Sequence, residues 1–353
     1  MYIWIETFIA ACFYYSGLIK LVCWWKQRTN PSLVILCYHR ATGGTLRKHL
    51  LYLRRHYRVL HLETALAELY TLDTSRQPTK DRRTPLVLTF DDGYYDNYIH
   101  GFALAQELQV PITIFLVPDY IESGKRFWWQ EPEYLLHHTQ VSKVTLEGCT
   151  YCLDTVAERK ALTQAIDMRI RNAPSVAERE QFIASVHMLL KVEAASSATI
   201  AAERAALPVT WAEVREMEQS GWVSFGAHTM HHPILAYLAD PGEIEYEVQE
   251  CKLVLERQLG HPVATFAYPV GQDEHIGEHA VHAVQQAGYN WAVTAIHGFN
   301  SPQSNPYLLR RVDVDIDQHW LRIAVKACGL WAIFTHLCQL PITLYQKGLK
   351  NKR

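Results

Sequence analysis

Leu86-Val87-Leu88-Thr89-Phe90-Asp91-Asp92-Gly93 constrains this chain more than any other stretch. An apolar run bounded by Pro85 and Gly93 predicts a buried strand, and its abrupt stop at two carboxylates delivers both acids to one edge of a sheet. That edge is where α/β proteins collect their catalytic side chains. Adjacent like charges repel, so the pair calls for a cation or a proton to relieve it. The competing reading is a solvated Asp-Gly turn after a strand.

A second segment, Ser224-Phe225-Gly226-Ala227-His228-Thr229-Met230-His231-His232-Pro233, favours the cation. If the residues after Gly226 form a helical turn, His228 and His232 lie four apart on one face, a spacing that lets two imidazoles grip one ion. Pro233 would end that turn. His231 points elsewhere on such a helix and is not read as a ligand.

Three segments in chain order, Thr89 to Gly93, His228 to Pro233 and Phe266-Ala267-Tyr268-Pro269-Val270-Gly271, resemble the first three motifs of the polysaccharide deacetylases of carbohydrate esterase family 4. The resemblance covers about residues 32 to 315. It implies an α/β fold, a distorted (β/α) barrel, and a hydrolase that removes acyl groups from the amide nitrogens of amino sugars. It also implies a divalent metal ion as cofactor, Zn2+ being the one expected. Carried over by position, Asp92, His228 and His232 are the metal ligands, Asp91 is the catalytic base, and the Val270 backbone N–H is an oxyanion donor.

The chemistry needs these types. Two imidazoles and one carboxylate leave coordination positions open, as in a catalytic site. A carboxylate held alongside can take the proton of an attacking water, and a developing oxyanion needs a second donor. The leaving amine must also be protonated, which suits a histidine. His39, at the end of the strand-like Leu33 to Tyr38, resembles the acid of a permuted form of the family; His297, in a Gly-containing loop, is its competitor. The family's third motif usually carries an Arg near its start that pairs with the base, whereas Phe266-Ala267 stand there in this chain. Arg311, in Arg310-Arg311-Val312-Asp313, offers a substitute, because a guanidinium holds a carboxylate by two parallel bonds. The alternative is a surface Arg pair.

A chain of 353 residues with 49% apolar content can fill one barrel-sized core. Net charge is −2 with pI near 6.8, so bulk electrostatics suggests no nucleic-acid partner. Three parts are expected: an apolar, membrane-associating segment over 1–28, a catalytic domain over 29–318, and an apolar C-terminal helix with a basic end over 319–353. The first part lacks the early basic residues of a signal peptide and is short for a span, so it reads as an interfacial or anchoring helix, a spanning helix and one packed on the barrel being the alternatives. The last runs from Ala327 to Tyr345 without charge and then meets Lys347, Lys350, Lys352 and Arg353, a pattern that suits an anionic leaflet.

Strand and helix patterns alternate through the middle, implying parallel pairing. A helical insertion over about 122–208 interrupts them, holding a candidate hairpin at Val144 to Asp154 and helices at Val156 to Met168 and Ser175 to Val192. Trp128 and Trp129 at its start either stack on a sugar or anchor the insertion. Thr210 with Glu213 predicts a capping box. Eight scattered cysteines fit a reducing compartment, and the lone Cys149-Thr150-Tyr151-Cys152 is a weak metal motif. Together these features suggest an N-deacetylase of an amino-sugar glycan or lipid-linked intermediate at the cytoplasmic face of a membrane. Its alternatives are a deformylase or other linear-amide hydrolase, and a non-catalytic glycan-binding scaffold.

Overall fold

In the computed structural model the described residues are 2–29, 32–71, 81–192, 203–331 and 334. Among them lie the strands β1 (Val34–Tyr38), β2 (Arg58–Leu60), β3 (Pro85–Phe90), β4 (Ile112–Leu116), β5 (Lys143–Leu146), β6 (Cys149–Cys152), β7 (Val223–Ala227), β8 (Thr265–Ala267), β9 (Trp291–His297) and β10 (Leu309–Asp313). The order β1-β10-β9-β8-β7-β4-β3, with β3 pairing back to β1, closes seven parallel strands into a barrel. The short β2 extends the lower part of β3, opposite Pro85 to Val87. The expected distorted (β/α) barrel is therefore what the chain forms.

Strand periodicity sorts the residues. Alternate side chains of a strand face opposite ways. Ile35, Val87, Phe115, Ala267, Val293 and Leu309 form one buried cluster inside the barrel, and the helix Leu62–Tyr70 closes one end of it with Leu62, Ala65 and Leu66. The intervening residues, among them Val34, Leu36, Leu86, Leu88 and Val312, belong to the larger core shared with the surrounding helices. Two residues farther along the inner faces come Cys37, Thr89 and Arg311. The next pair up each wall delivers His39, Asp91 and Asp313. An apolar floor thus grades into a polar rim at the C-terminal strand ends.

Gly226 belongs to this interior. A Cβ there would lie 2.5 Å from Phe115 Cε1 and 2.6 Å from Thr265 Oγ1. Phe115 is itself fully buried. Overpacking of this kind costs about 1–3 kcal/mol, so Gly226→Ala should lower the urea midpoint without changing the transition's slope. An unchanged midpoint would mean that Phe115 yields freely.

The insertion was legible in outline. It folds as the helices Pro118–Ser123, Glu131–His138, Val156–Arg171 and Val176–Leu190 with the β5–β6 hairpin, around its own core of Tyr120, Phe127, Trp128, Leu135, Ile166 and Leu190. Thr155 and Ser175 cap the two long helices by accepting from the Glu158 and Glu178 backbone N–H groups. Thr210 and Glu213 form the expected capping box. Cys149 and Cys152 are exposed on β6, and among the described residues neither joins a metal-spaced group.

The N-terminal segment is two helices rather than one, Tyr2–Tyr15 and Leu18–Thr29, bent by 69° between Trp4–Tyr15 and Leu18–Lys26. Gly17, at φ 79°, makes the break without the penalty that a side chain would bring. Among the described residues no single helix is long and apolar enough to cross a membrane, although the bent pair meets that test by length and composition. Ala10 and Ile19 are buried. Tyr14 packs edge-on to Trp320 at 5.1 Å, and Glu6 pairs with Arg322. The outer face leaves Trp4 82% and Phe8 69% exposed, with Tyr15, Leu21, Trp24 and Trp25 beside them. Of the C-terminal part, the helix Trp320–Cys328 ends at Gly329 in the left-handed region; most of the apolar run and the basic end lie outside the described residues.

Candidate active site

Parallel pairing brings distant residues to one rim. His39 follows β1, Asp91 and Asp92 follow β3, His228 follows β7, Val270 comes three residues after β8, and Arg311 stands within β10. They line a single cleft of about 410 Å³ together with Cys37, Tyr94, Trp129, Arg171, Tyr268 and Asp313.

The acid pair is not a solvated turn: Asp91 and Asp92 are 2% and 3% exposed. Asp91 receives both guanidinium arms of Arg311, Nη1 to Oδ1 and Nη2 to Oδ2, each at 2.7 Å. Arg311 is 1% exposed and also donates through Nε to the Thr294 carbonyl at 2.7 Å. Burial alone would raise the Asp91 pKa, but the Arg311 charge, aided by His228, outweighs it and holds the carboxyl well below the usual range. Arg311 thus stands where the sequence left open a surface Arg pair; Arg310, one residue away, is exposed on the other face.

Asp92 turns away through a left-handed backbone, φ 73°. Its Oδ1 lies 3.5 Å from His228 Nε2 and 3.4 Å from His232 Nε2. Buried as it is, that oxygen has no hydrogen-bond partner among the described residues. One ligand atom from each of the three residues falls within 4.8 Å of the others. Tetrahedral ligation at 2.0–2.1 Å separates ligands by about 3.3 Å, so the cluster fits a shared cation better than direct hydrogen bonding. His228 Nδ1 must donate to the Ala267 carbonyl, 2.7 Å away, so the neutral ring turns its Nε2 lone pair toward Asp92. Against its burial, the adjoining Asp92 and Asp91 carboxylates raise its pKa and favour the charged form when no cation stands between them. Burial, reinforced by the neighbouring His228, pushes the His232 imidazolium down to about 3 and keeps that ring neutral.

The helical turn expected to carry the two histidines is absent. Residues 228–234 are loop, with Thr229 at φ 64° and His232 at φ 56°. Two left-handed residues fold the loop back on itself, bringing the rings to 4.7 Å by a route that helical spacing does not describe. Thr229 Oγ1 accepts from the His232 N–H at 3.0 Å. His231, as anticipated, leaves the cluster and bonds Glu247 at 2.6 Å.

The insertion completes the support of this loop. Arg179, 3% exposed, donates to the His231 carbonyl at 2.9 Å and, more weakly, to that of His232 at 3.4 Å. Trp128 Nε1 donates to the His232 carbonyl at 2.8 Å. Trp128 is therefore an anchor, as one of the two readings held. Trp129 lines the cleft beside it, its ring 4.4 Å from that of His232 and its Nε1 donating to Tyr94 Oη at 2.7 Å.

His39 faces the cleft, whereas His297 lies off it, beside Phe299. Val270 sits at φ 58°, a strained region for a β-branched residue. Among the described residues no acceptor takes its N–H. Asp313, Cys37, Tyr94 and Arg179 were not singled out from the sequence. For Asp313 and Cys37 the signal is strand parity, readable only once the β1–β10 register is known; for Arg179 no local signal exists.

A family model described as polysaccharide deacetylase matches residues 79–292, more than half of the chain. The protein belongs to the polysaccharide deacetylase family. Membership makes it a hydrolase acting on carbon–nitrogen bonds. YxkH of Bacillus subtilis is 22% identical over 295 residues, which span 82% of this chain and 74% of YxkH. The Streptococcus pyogenes deacetylase PplD, solved in complex with acetate, superposes with TM-score 0.53 at 17% identity, covering 84% of this chain and 98% of PplD. A de-N-acetylase from Aggregatibacter actinomycetemcomitans gives 0.52 at 16%, covering 83% and 99%. At these identities the structural likenesses speak to the fold. In this polysaccharide deacetylase His39, Arg311 and Asp313 lie outside the matched segment, and barrel closure brings them to it.

Proposed function

We propose that the protein is a metal-dependent N-deacetylase of an amino-sugar glycan, working on an oligosaccharide or lipid-linked intermediate at the inner face of a membrane. The observation that carries this reading is the unpartnered, buried Asp92 Oδ1 between two imidazole nitrogens, next to a carboxylate that Arg311 keeps ionised. Asp92, His228 and His232 would hold a divalent ion, Zn2+ by donor type. Bound there, the ion supplies a Lewis acid that activates water and polarises the substrate carbonyl.

The chain's own groups do the rest. Asp91, fixed by two bonds, accepts the proton of the attacking water. The Val270 N–H faces the charge that develops on the carbonyl oxygen. His39 donates a proton to the amine as the C–N bond breaks, so acetate and a free amine leave. Two solved relatives, a deacetylase in complex with acetate and a de-N-acetylase, support the acetyl group as the one removed.

The membrane part of the reading rests on the exposed face of Trp4, Phe8, Tyr15, Trp24 and Trp25, with Arg28 stacked 4.3 Å over Trp24. Aromatic and basic side chains together suit the headgroup region. One assay tests both parts: full-length protein is given N-acetylglucosamine oligomers free in solution or tethered to anionic vesicles. Acetate release, faster on vesicles that carry the protein with them on flotation, is expected. Formate from an N-formyl analogue in preference to acetate would overturn the substrate, and failure to float would overturn the membrane.

A further inference from the structure

On the inner wall of the barrel, in the same cleft as Asp92, three more donor atoms converge. Cys37 and Asp313 are Cα partners in the β1–β10 ladder, so their side chains rise side by side on one face. His39 follows two residues on, at the same parity. The Cys37 sulfur, an imidazole nitrogen of His39 and a carboxylate oxygen of Asp313 all lie within 4.8 Å of one another. All three residues line the cleft.

We propose that Cys37, His39 and Asp313 form a second cation site, which takes a thiophilic divalent ion such as Zn2+ when that ion is in excess and switches hydrolysis off by occupying His39. A thiolate, an imidazole and a carboxylate are the donor types that zinc and cobalt prefer, unlike the all-oxygen sets of magnesium or calcium. Ligation is balanced by release of the Cys37 thiol proton, now pointed at Asp91 Oδ2 3.5 Å away, to solvent. The nearest positive charge, Arg311, is already paired with Asp91, and the Lys326 ammonium is turned to the Asp313 backbone carbonyl at 2.9 Å. His39 and Asp313 are exposed, so an ion in the cleft reaches them before the buried sulfur. The binding half of the proposal stands on this geometry alone; the inhibitory half rests on the reading of His39 as the acid.

Full-length protein as purified is titrated with Co2+ and followed by near-ultraviolet absorption and elemental analysis. Wild type is expected to gain one further ion with a thiolate-to-cobalt charge-transfer band, and Cys37→Ser to lose both the band and the extra ion. Asp92→Asn is expected to keep the band, so failure of the primary site and failure of this one read differently. Loss of even an outer partner costs metal sites about 10–100-fold in affinity. The Zn2+ concentration that halves each variant's own activity should therefore rise about tenfold or more in Cys37→Ser. No band in wild type would overturn the proposal, as would a band that survives in Cys37→Ser, since that places the thiolate at another of the eight cysteines. If Cys37→Ser fails to fold, Asp313→Asn serves instead, and an unchanged cobalt affinity in it would overturn the site.

Discussion

Asp92→Asn should emerge metal-poor by elemental analysis and slower in acetate release by about a thousandfold, since a metal ion is worth several kcal/mol at the transition state and each 1.36 kcal/mol is tenfold. Asn is the informative substitution because position 92 has φ 73°, which Asn tolerates and Ala resists. A loss of activity then reports the missing charge rather than a refolded turn. His228→Ala should behave alike, because the ring's Nδ1 bond to Ala267 places its Nε2 at the same point. Metal retained in both variants would remove these residues from the ligand set and bring the non-catalytic scaffold forward.

Arg311→Met should be the most destabilising change in the site. It strands the buried Asp91 carboxylate, and breaking one side of a buried pair costs about 3–5 kcal/mol. Arg311→Lys keeps the charge but not the planar fork that makes two 2.7 Å bonds, so it should recover part of the stability and less of the activity. Arg310→Ala, exposed one residue away, should stay within about 0.5 kcal/mol of wild type. Urea unfolding of the three variants checks this ordering, and equal losses at 310 and 311 would sink the assignment of Arg311 as the partner of Asp91.

What the sequence made legible follows the range of the forces involved. The strand ending at Asp91 could be read because an apolar run and a stop are local, and so could the capping box at Thr210. The spacing of His228 and His232 pointed to a shared ion, but the backbone that joins them did not follow from it. Left-handed residues at Thr229 and His232 are held by Thr229 Oγ1, Trp128 and Arg179, two of them remote in sequence. Arg311 could be named as the partner of Asp91 and not told from a surface arginine, because which parity faces the barrel depends on closure. Register between β1 and β10 decides that Asp313 stands beside Cys37, and neither strand carries that information alone. The short β2 was overlooked since three half-buried residues make no periodic signal.

Arg179 and Trp128 reach out of a segment whose business is the rim of the cleft and clasp the peptide carbonyls of the histidine loop. In a lineage, that clasp ties two traits which would otherwise drift separately. Residues 118–192 cannot be exchanged for a relative's insertion to change what the cleft admits unless both donors travel with it. A chimera that leaves them behind trades specificity against the hold on its own histidine loop.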